Sequence, residues 1–415
     1  MSDPASDPAK RGPLAGMMVV ELAHIMAGPV CGLMLADLGA DVIKVEKVPG
    51  GDDTRRFLPP DIDGEAAAFM MVNRNKRGIA VNLKQEDGRE VVRRLLAEAD
   101  IVIENYRRGA LERMGLSYDS LKAENPGLIL AEISGFGRSG PYADRGGFDL
   151  IAQGMSGLMS ITGEGPGRPP VKVGAPVTDI TAGILAALGV CAAYAQRLQS
   201  GQGQRVDTSL FEAGIVHTYW QSAIALATGQ APGPLGSRHP LNAPYQAFRT
   251  ADGWITLGAG NASNWRRLLD AIEAPELAED PRFLDNESRV RNVEALEAVL
   301  APIMATRDSA DWLARLEAAG VPAGPVMDVA QMHRDPQTRA REMVASAEHA
   351  RLGAVETLGL PIKLSETPGS VRRGAPLLGQ HSREVLAGLG YAAAEIERLI
   401  AEGVVIAADL EEPAP

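Results

Sequence analysis

From residue 17 onward the chain alternates a short apolar run with a helical one, and this alternation restricts the fold more than any other property of the sequence. Residues 17–22 (Met-Met-Val-Val-Glu-Leu) read as a strand, 29–38 as a helix closed by Gly39, and 42–46 (Val-Ile-Lys-Val-Glu) as a second strand. Proline at a helix start and glycine just past its end are the expected punctuation. The unit repeats with a strand at 79–83, an amphipathic helix at 86–99 whose apolar face is Val91, Val92, Leu95 and Leu96, and a strand at 101–103. A strand at 128–133 and a helix at 148–160 follow. Strands alternating with helices imply an α/β fold, a Rossmann-like domain with a mostly parallel, helix-covered sheet.

Residues 161–178 hold four glycines and four prolines and read as a long loop; ordered loops of this length in compact domains are often functional. Asp179 closes the loop, a buried helix is predicted over 180–198, and a strand over 205–210. The texture then changes. Residues 231–244 form a Pro/Gly-rich linker, 245–250 and 254–257 a hairpin around Ala251-Asp252-Gly253, and 261–320 helical, acidic segments. This predicts three parts: residues 1–224 as the large domain, 225–330 as a smaller α+β domain, and 331–415 returning to the first.

Composition removes several function classes. The formal net charge is −12, which argues against a protein that binds nucleic-acid phosphates. Residues 1–200 carry 22 basic and 25 acidic side chains against 19 and 28 in residues 201–415, so a small anionic ligand is expected in the first half. Cys31 and Cys191 stand alone, which supports neither a disulfide framework nor a Cys-based zinc site and fits a reducing compartment. The strongest apolar stretch, between Asp179 and Gln196, reads as shorter than the roughly 18 residues that span a bilayer. Residues 1–11 are polar and resemble neither a secretory signal nor a transit peptide. The expectation is a cytoplasmic protein that binds neither membrane nor nucleic acid.

The βαβ opening invites a dinucleotide reading, but Ala23-His24-Ile25-Met26-Ala27-Gly28-Pro29 holds one glycine where the fingerprint needs three. No phosphate-binding P-loop and no Gly-x-Ser-x-Gly elbow is present, and the six histidines show no metal-ligand spacing. Asp179 reads two ways from the residues: as the N-cap of the following helix, since aspartate is a favoured cap, or as a nucleophile. The Arg74, Lys76 and Arg77 run reads either as a solvated basic turn or as a phosphate contact.

Eight short segments occur in one order: Met26-Ala27-Gly28-Pro29; residues 38–46; Asn73-Arg74-Asn75-Lys76-Arg77; residues 104–109 (Glu-Asn-Tyr-Arg-Arg-Gly); residues 148–154; Thr178-Asp179; Gly201-Gln202-Gly203-Gln204; and residues 376–381 (Pro-Leu-Leu-Gly-Gln-His). Together they resemble the family III CoA-transferases (the CaiB/BaiF family) from about residue 12 to 404. Residues 243–248, 258–261 and the 376–381 segment look closest to the branch that transfers CoA from succinyl-CoA or hydroxymethylglutaryl-CoA to glutarate.

The resemblance implies a transferase that moves CoA from an acyl-CoA to a free carboxylic acid, here a dicarboxylate, through an aspartyl anhydride and an aspartyl-CoA thioester on Asp179, a form of nucleophilic covalent catalysis. It implies that Gly258 and Gly260, in a loop that lacks the family's longer glycine run, shield intermediates with backbone N–H groups. For the CoA thioester it implies Met26, Ala27, Lys47, Asn73, Asn75, Lys76, Arg77, Asn105, Tyr106 and Arg113. Arg55, Arg108, Arg138, Arg168, Lys172 and Arg238 are candidates for a distal carboxylate. It also implies a homodimer of chains interlinked like rings, with no metal or redox cofactor. The competing activity on this fold is α-methylacyl-CoA racemisation, which needs two proton-transfer groups. Racemases of the family carry Gly-His-Asp where this chain has Gly147-Phe148-Asp149, and phenylalanine relays no proton.

Overall fold

The structure, a computed structural model, describes residues 12–408; the reading of residues 1–11 lies outside them. The described chain divides into two compact units. One comprises residues 12–156, 174–217 and 336–408, and the other residues 157–173 and 218–335. The Gly/Pro-rich loop, read from sequence as part of the large domain, therefore divides between the two, and the main stretch of the smaller unit runs over 218–335 where the sequence predicted 225–330.

The larger unit is built on a seven-stranded sheet: β1 (Met18–Leu22), β2 (Asp41–Lys47), β3 (Lys76–Val81), β4 (Ile101–Glu104), β5 (Ile129–Ser134), β6 (Arg205–Ser209) and β7 (Val405–Ile406), in the spatial order β7-β3-β2-β1-β4-β5-β6. Every pairing is parallel except β7 on β3. The chain builds outward from β1 through β2 to β3, then returns to the other side of β1 for β4. A doubly wound sheet opens a crevice beyond the carboxyl ends of its strands at such a reversal. Here that point lies between the ends of β1 and β4.

The sheet is covered on both faces. Val19, Ile101, Ile103, Ile129 and Ala131 pack with α1 (Ala27–Asp37) and a longer helix, α3 (Val177–Ser200). Val20, Ile43, Ile79 and Val102 pack with Val91, Val92, Leu95 and Leu96 of the Glu86–Glu98 helix. Helix α1 ends where Gly39 adopts φ +106°, a left-handed conformation that glycine reaches without a Cβ clash. Between α1 and α3 comes α2 (Asp149–Met155), shorter than the predicted 148–160.

Helix α3 is longer than the sequence pattern predicted. At 24 residues it is long and apolar enough to cross a membrane by length and composition, yet Ala182, Gly183, Ala186, Ala187, Val190 and Ala193 are buried in the core. A Cβ on Gly183 would come within 2.5 Å of the Ala27 carbonyl oxygen and 2.8 Å of Val30 Cβ. Small residues on this face are what allow α3 to lie so close to α1.

In the smaller unit the predicted hairpin is present. Tyr245–Arg249 pairs antiparallel with Trp254–Gly258, and Ala323–Pro325 adds a third strand. Helices Ala262–Ala271, Val293–Met304 and Ser309–Ala318 contribute Trp265, Leu268, Leu296, Leu300, Trp312 and Leu316 to its core. Buried Arg289 ties the unit together by donating to the carbonyl oxygens of Ala243, Phe283 and Gly260 at 2.7, 2.9 and 2.6 Å.

Candidate active site

A cavity of about 630 Å³ lies in the larger unit at the β1/β4 reversal. That volume suits a sizeable small-molecule ligand. Its walls are the segments that leave the strand ends: His24, Ile25, Met26 and Ala27 after β1, Lys47 at the end of β2, Asn105 to Arg108 after β4, and Ser134 and Gly135 after β5. Residues 143–148 and Asp179 complete it. Five cations (Lys47, Arg107, Arg108, Arg138 and Arg145) line the cavity against two carboxylates, Asp144 and Asp179. Lys47 pairs with Asp53, Arg108 with Asp144 and Arg138 with Glu104 and Glu132, which leaves Arg107 and Arg145 as the wall cations without a carboxylate partner among the described residues; a guanidinium free in this way can meet an anionic ligand.

Asp179 occupies the first turn of α3 and is not its N-cap; Pro176 holds that position without a side-chain cap bond. The capping work falls to Asp149 at the start of α2. Its Oδ1 accepts from the Thr178 backbone N–H at 3.0 Å and from Thr178 Oγ1 at 2.8 Å, and its Oδ2 accepts from Gln153 Nε2 at 2.8 Å. The Asp179 carboxylate is left with no hydrogen-bond partner among the described residues. Burial pushes its pKa up, and the neighbouring Asp149 carboxylate adds to this, bringing it to about 7. A half-buried, unpaired carboxylate facing a cationic cavity is poised as a base or a nucleophile.

Three side chains hold the loop between β1 and α1. Asn105 pairs with His24 at both backbone groups: Oδ1 accepts from His24 N–H at 3.0 Å, and Nδ2 donates to His24 O at 2.8 Å. Lys44 Nζ donates to Ala23 O at 2.9 Å. Both oxygens of Asp52 receive the Ile25 N–H, at 3.1 and 3.2 Å. Ile25 itself has φ +70°, a conformation that costs a β-branched residue roughly 1–3 kcal/mol. Beneath the loop, Lys44 Nζ is 2.9 Å from Glu21 Oε1 and from Asp52 Oδ2, and Lys76 Nζ is 2.8 Å from Glu21 Oε2, all fully buried. Burial alone would raise the Asp52 carboxyl, but the Lys44 ammonium and the Thr54 donors outweigh it and hold it well below the usual range. His24 keeps a buried Nδ1 with no partner, and burial holds its imidazole below its ordinary pKa.

Of the predicted CoA contacts, Met26, Ala27, Lys47, Asn105 and Tyr106 line this cavity, whereas Arg113 lies exposed on the short Ala110–Arg113 helix outside its walls. Asn73, Asn75, Lys76 and Arg77 do not line it. Asn73, Asn75 and Lys76 are buried with their polar atoms committed inside the fold, and Arg77 is half-buried and pairs at the surface, so the run is not a free basic turn. Asn73 accepts from Lys76 Nζ at 2.9 Å, Asn75 Nδ2 donates to Asp37 Oδ1 at 2.7 Å and to Ser370 O at 2.8 Å, and Arg77 binds Asp41 and Glu384. Arg74 is buried against Asp37. In the smaller unit the Gly258 N–H already donates to Pro322 O at 3.0 Å, which removes it as an oxyanion donor; the Gly260 N–H has no partner among the described residues. Arg107 and Arg145 were missed from sequence. Arg107 adjoins the Glu-Asn-Tyr segment, and that adjacency to a strand end was the available signal.

Residues 14–382 match the family model described as CoA-transferase family III. The chain is a family III CoA-transferase. Among its relatives is the succinate–glutarate CoA-transferase of Agrobacterium fabrum, 42% identical over 388 residues that cover 92% of this chain and 97% of that one. The succinyl-CoA:glutarate CoA-transferase of Mus musculus is 36% identical over 403 residues, covering 97% and 92%. The crystal structure of a CaiB/BaiF family protein from Brucella suis superposes with a TM-score of 0.82 at 43% identity, covering 92% of the transferase and all of that chain. The transferase uses a CoA thioester and a free carboxylic acid as substrates.

Proposed function

We propose that the transferase moves CoA from succinyl-CoA to a dicarboxylic acid of the glutarate type, with Asp179 as the covalent nucleophile. The observation that carries this reading is the half-buried Asp179 carboxylate, without a hydrogen-bond partner among the described residues, in a cavity that also presents Arg107 and Arg145. In the first step an Asp179 oxygen attacks the thioester carbonyl and expels CoA thiolate, leaving an aspartyl–succinyl anhydride. The thiolate then attacks the aspartyl carbonyl and releases succinate, giving an aspartyl-CoA thioester. The acceptor carboxylate attacks that thioester and again frees the thiolate. Attack of the thiolate on the acceptor's acyl carbon restores Asp179 and releases the new acyl-CoA. Each step exchanges one acyl bond for another of similar energy, so the route needs neither redox change nor hydrolysis.

Lys47, Arg107 and Arg108 supply charge for the CoA phosphates, with Asn105, Tyr106, Met26 and Ala27 as neighbouring contacts and Arg113 at the outer edge. Arg138 is withdrawn from the set of distal-carboxylate readers, because Glu104 and Glu132 already hold its guanidinium. Arg145 takes its place. The chain acts as an interlinked homodimer in the cytoplasm; exposed Ile184 and Leu188 on α3 give such a partner an apolar surface to cover.

Mass-spectrometric exchange tests the reading. Purified protein with succinyl-CoA and a panel of free acids including glutarate is expected to yield glutaryl-CoA, and Asp179→Ala is expected to abolish transfer. Full transfer by Asp179→Ala removes the aspartyl route. Deuterium uptake at the α-carbon of a 2-methylacyl-CoA, without acid exchange, replaces it with racemisation.

A further inference from the structure

The clamp on the loop after β1 goes beyond the nucleophile and the CoA contacts. Asp52 is buried and does not itself line the cavity, yet its carboxylate receives the N–H of Ile25, the wall residue whose backbone lies in the left-handed region. Thr54 orients that carboxylate through its backbone N–H at 3.0 Å and its hydroxyl at 2.8 Å, both to Oδ1. Lys44 binds the other oxygen and, with the same ammonium, the Ala23 carbonyl two residues before Ile25. An isoleucine at positive φ persists only where its surroundings over-determine it, and such strain collects where a backbone must be presented in one way.

We propose that Asp52 is a positioning residue of the transfer reaction: it holds Ile25 in the left-handed turn that presents the His24–Ala27 backbone to the acyl-CoA cavity. With an amide in place of the carboxylate, the Lys44 ammonium meets an NH2 donor or the side chain turns away from Ile25, the Ile25 N–H loses its charged acceptor, and Ile25 relaxes toward negative φ so that the cavity-facing peptides rotate away. A misplacement of about 1 Å in such a wall costs a reaction on the order of a hundredfold. This inference rests on the cavity being the acyl-CoA site proposed above.

The test is a double-mutant cycle between Asp52 and Ile25. Glycine adopts positive φ without a Cβ penalty, so the turn needs less holding once Ile25 is replaced by it. Asp52→Asn, assayed by CoA exchange well below its melting temperature with whichever acid of the panel the wild type uses, is expected to lose at least tenfold in kcat/KM. The same substitution in an Ile25→Gly background is expected to lose less than threefold relative to Ile25→Gly alone. A purely structural role predicts the reverse, because a second lesion in the same loop deepens the loss. Equal penalties in the two backgrounds, or an unimpaired Asp52→Asn, overturn the proposal. If Asp52→Asn does not fold, Thr54→Val, which removes one donor to the carboxylate and keeps the shape, reads the same coupling at smaller amplitude; the same two results overturn it there. An Asp179→Ala control runs alongside. Transfer that survives in that control defeats the aspartyl route alone, since the Asp52–Ile25 coupling is read in chains that keep Asp179.

Discussion

The Asp179 carboxylate has no hydrogen bond or ion pair among the described residues, so in the proposed mechanism pH governs its reactivity directly. Burial and the nearby Asp149 carboxylate set its pKa at about 7, and only the ionised form attacks a thioester. The kcat/KM of the transferase is therefore expected to rise with pH to about 7 and to fall roughly tenfold per pH unit below it. Asp149→Asn keeps an oxygen for Thr178 but removes the like charge. That stabilises the Asp179 carboxylate, so the acidic limb of the profile is expected to move toward lower pH by about one unit; a limb that stays in place or moves upward contradicts the electrostatic account. The residue scale is also where the sequence was least legible. Aspartate before a helix reads as a cap, and only the fold shows that Asp149 fills that role and leaves Asp179 free. The Asn73–Arg77 run reads as charge available to a ligand because its partners, Glu21, Asp37 and Asp41, are distant in sequence and burial cannot be seen from composition.

At the scale of elements, what positions Asp179, the proposed nucleophile, is the close contact between α1 and α3. Asp179 and Gly183 are four residues apart and so share a helix face, and it is on Gly183 that a Cβ would strike the Ala27 carbonyl at 2.5 Å. Gly183→Ala is expected to destabilise the protein by about 1–3 kcal/mol and to reduce exchange beyond that loss, because the displaced helix carries Asp179 with it. Thermal melts and kcat on the folded variant check the two parts separately, and an alanine variant with wild-type kcat sinks the positional claim. Elements were the most legible scale. The places of β1 to β6 along the chain follow from apolar runs separated by helical ones, because such patterns are local, whereas their spatial order does not. The pairing of β7 with β3 was not legible: a two-residue strand has no periodicity, and its partner lies at the opposite end of the chain. The Gly258 reading failed for a related reason, since a glycine at a strand end shows nothing of the Pro322 carbonyl that occupies its N–H.

For the molecule as a whole, an interlinked dimer makes a prediction that an ordinary dimer does not. Chains threaded through one another separate only by unfolding, so light scattering is expected to give twice the 43.8 kDa chain mass at every dilution below the melting temperature. A mass that falls to a single chain on dilution refutes the interlinked arrangement. The larger unit has a further property that bears on how the protein is made. Its sheet is finished by Val405 and Ile406, which pair with Val81 and Ala80, and the whole of the smaller unit's 218–335 stretch lies in the chain between β6 and this last strand. During synthesis the six parallel strands are therefore complete long before the segment that covers the outer edge of β3 leaves the ribosome. For that interval the nascent chain presents an unpaired strand edge, the kind of surface that seeds association between neighbouring chains.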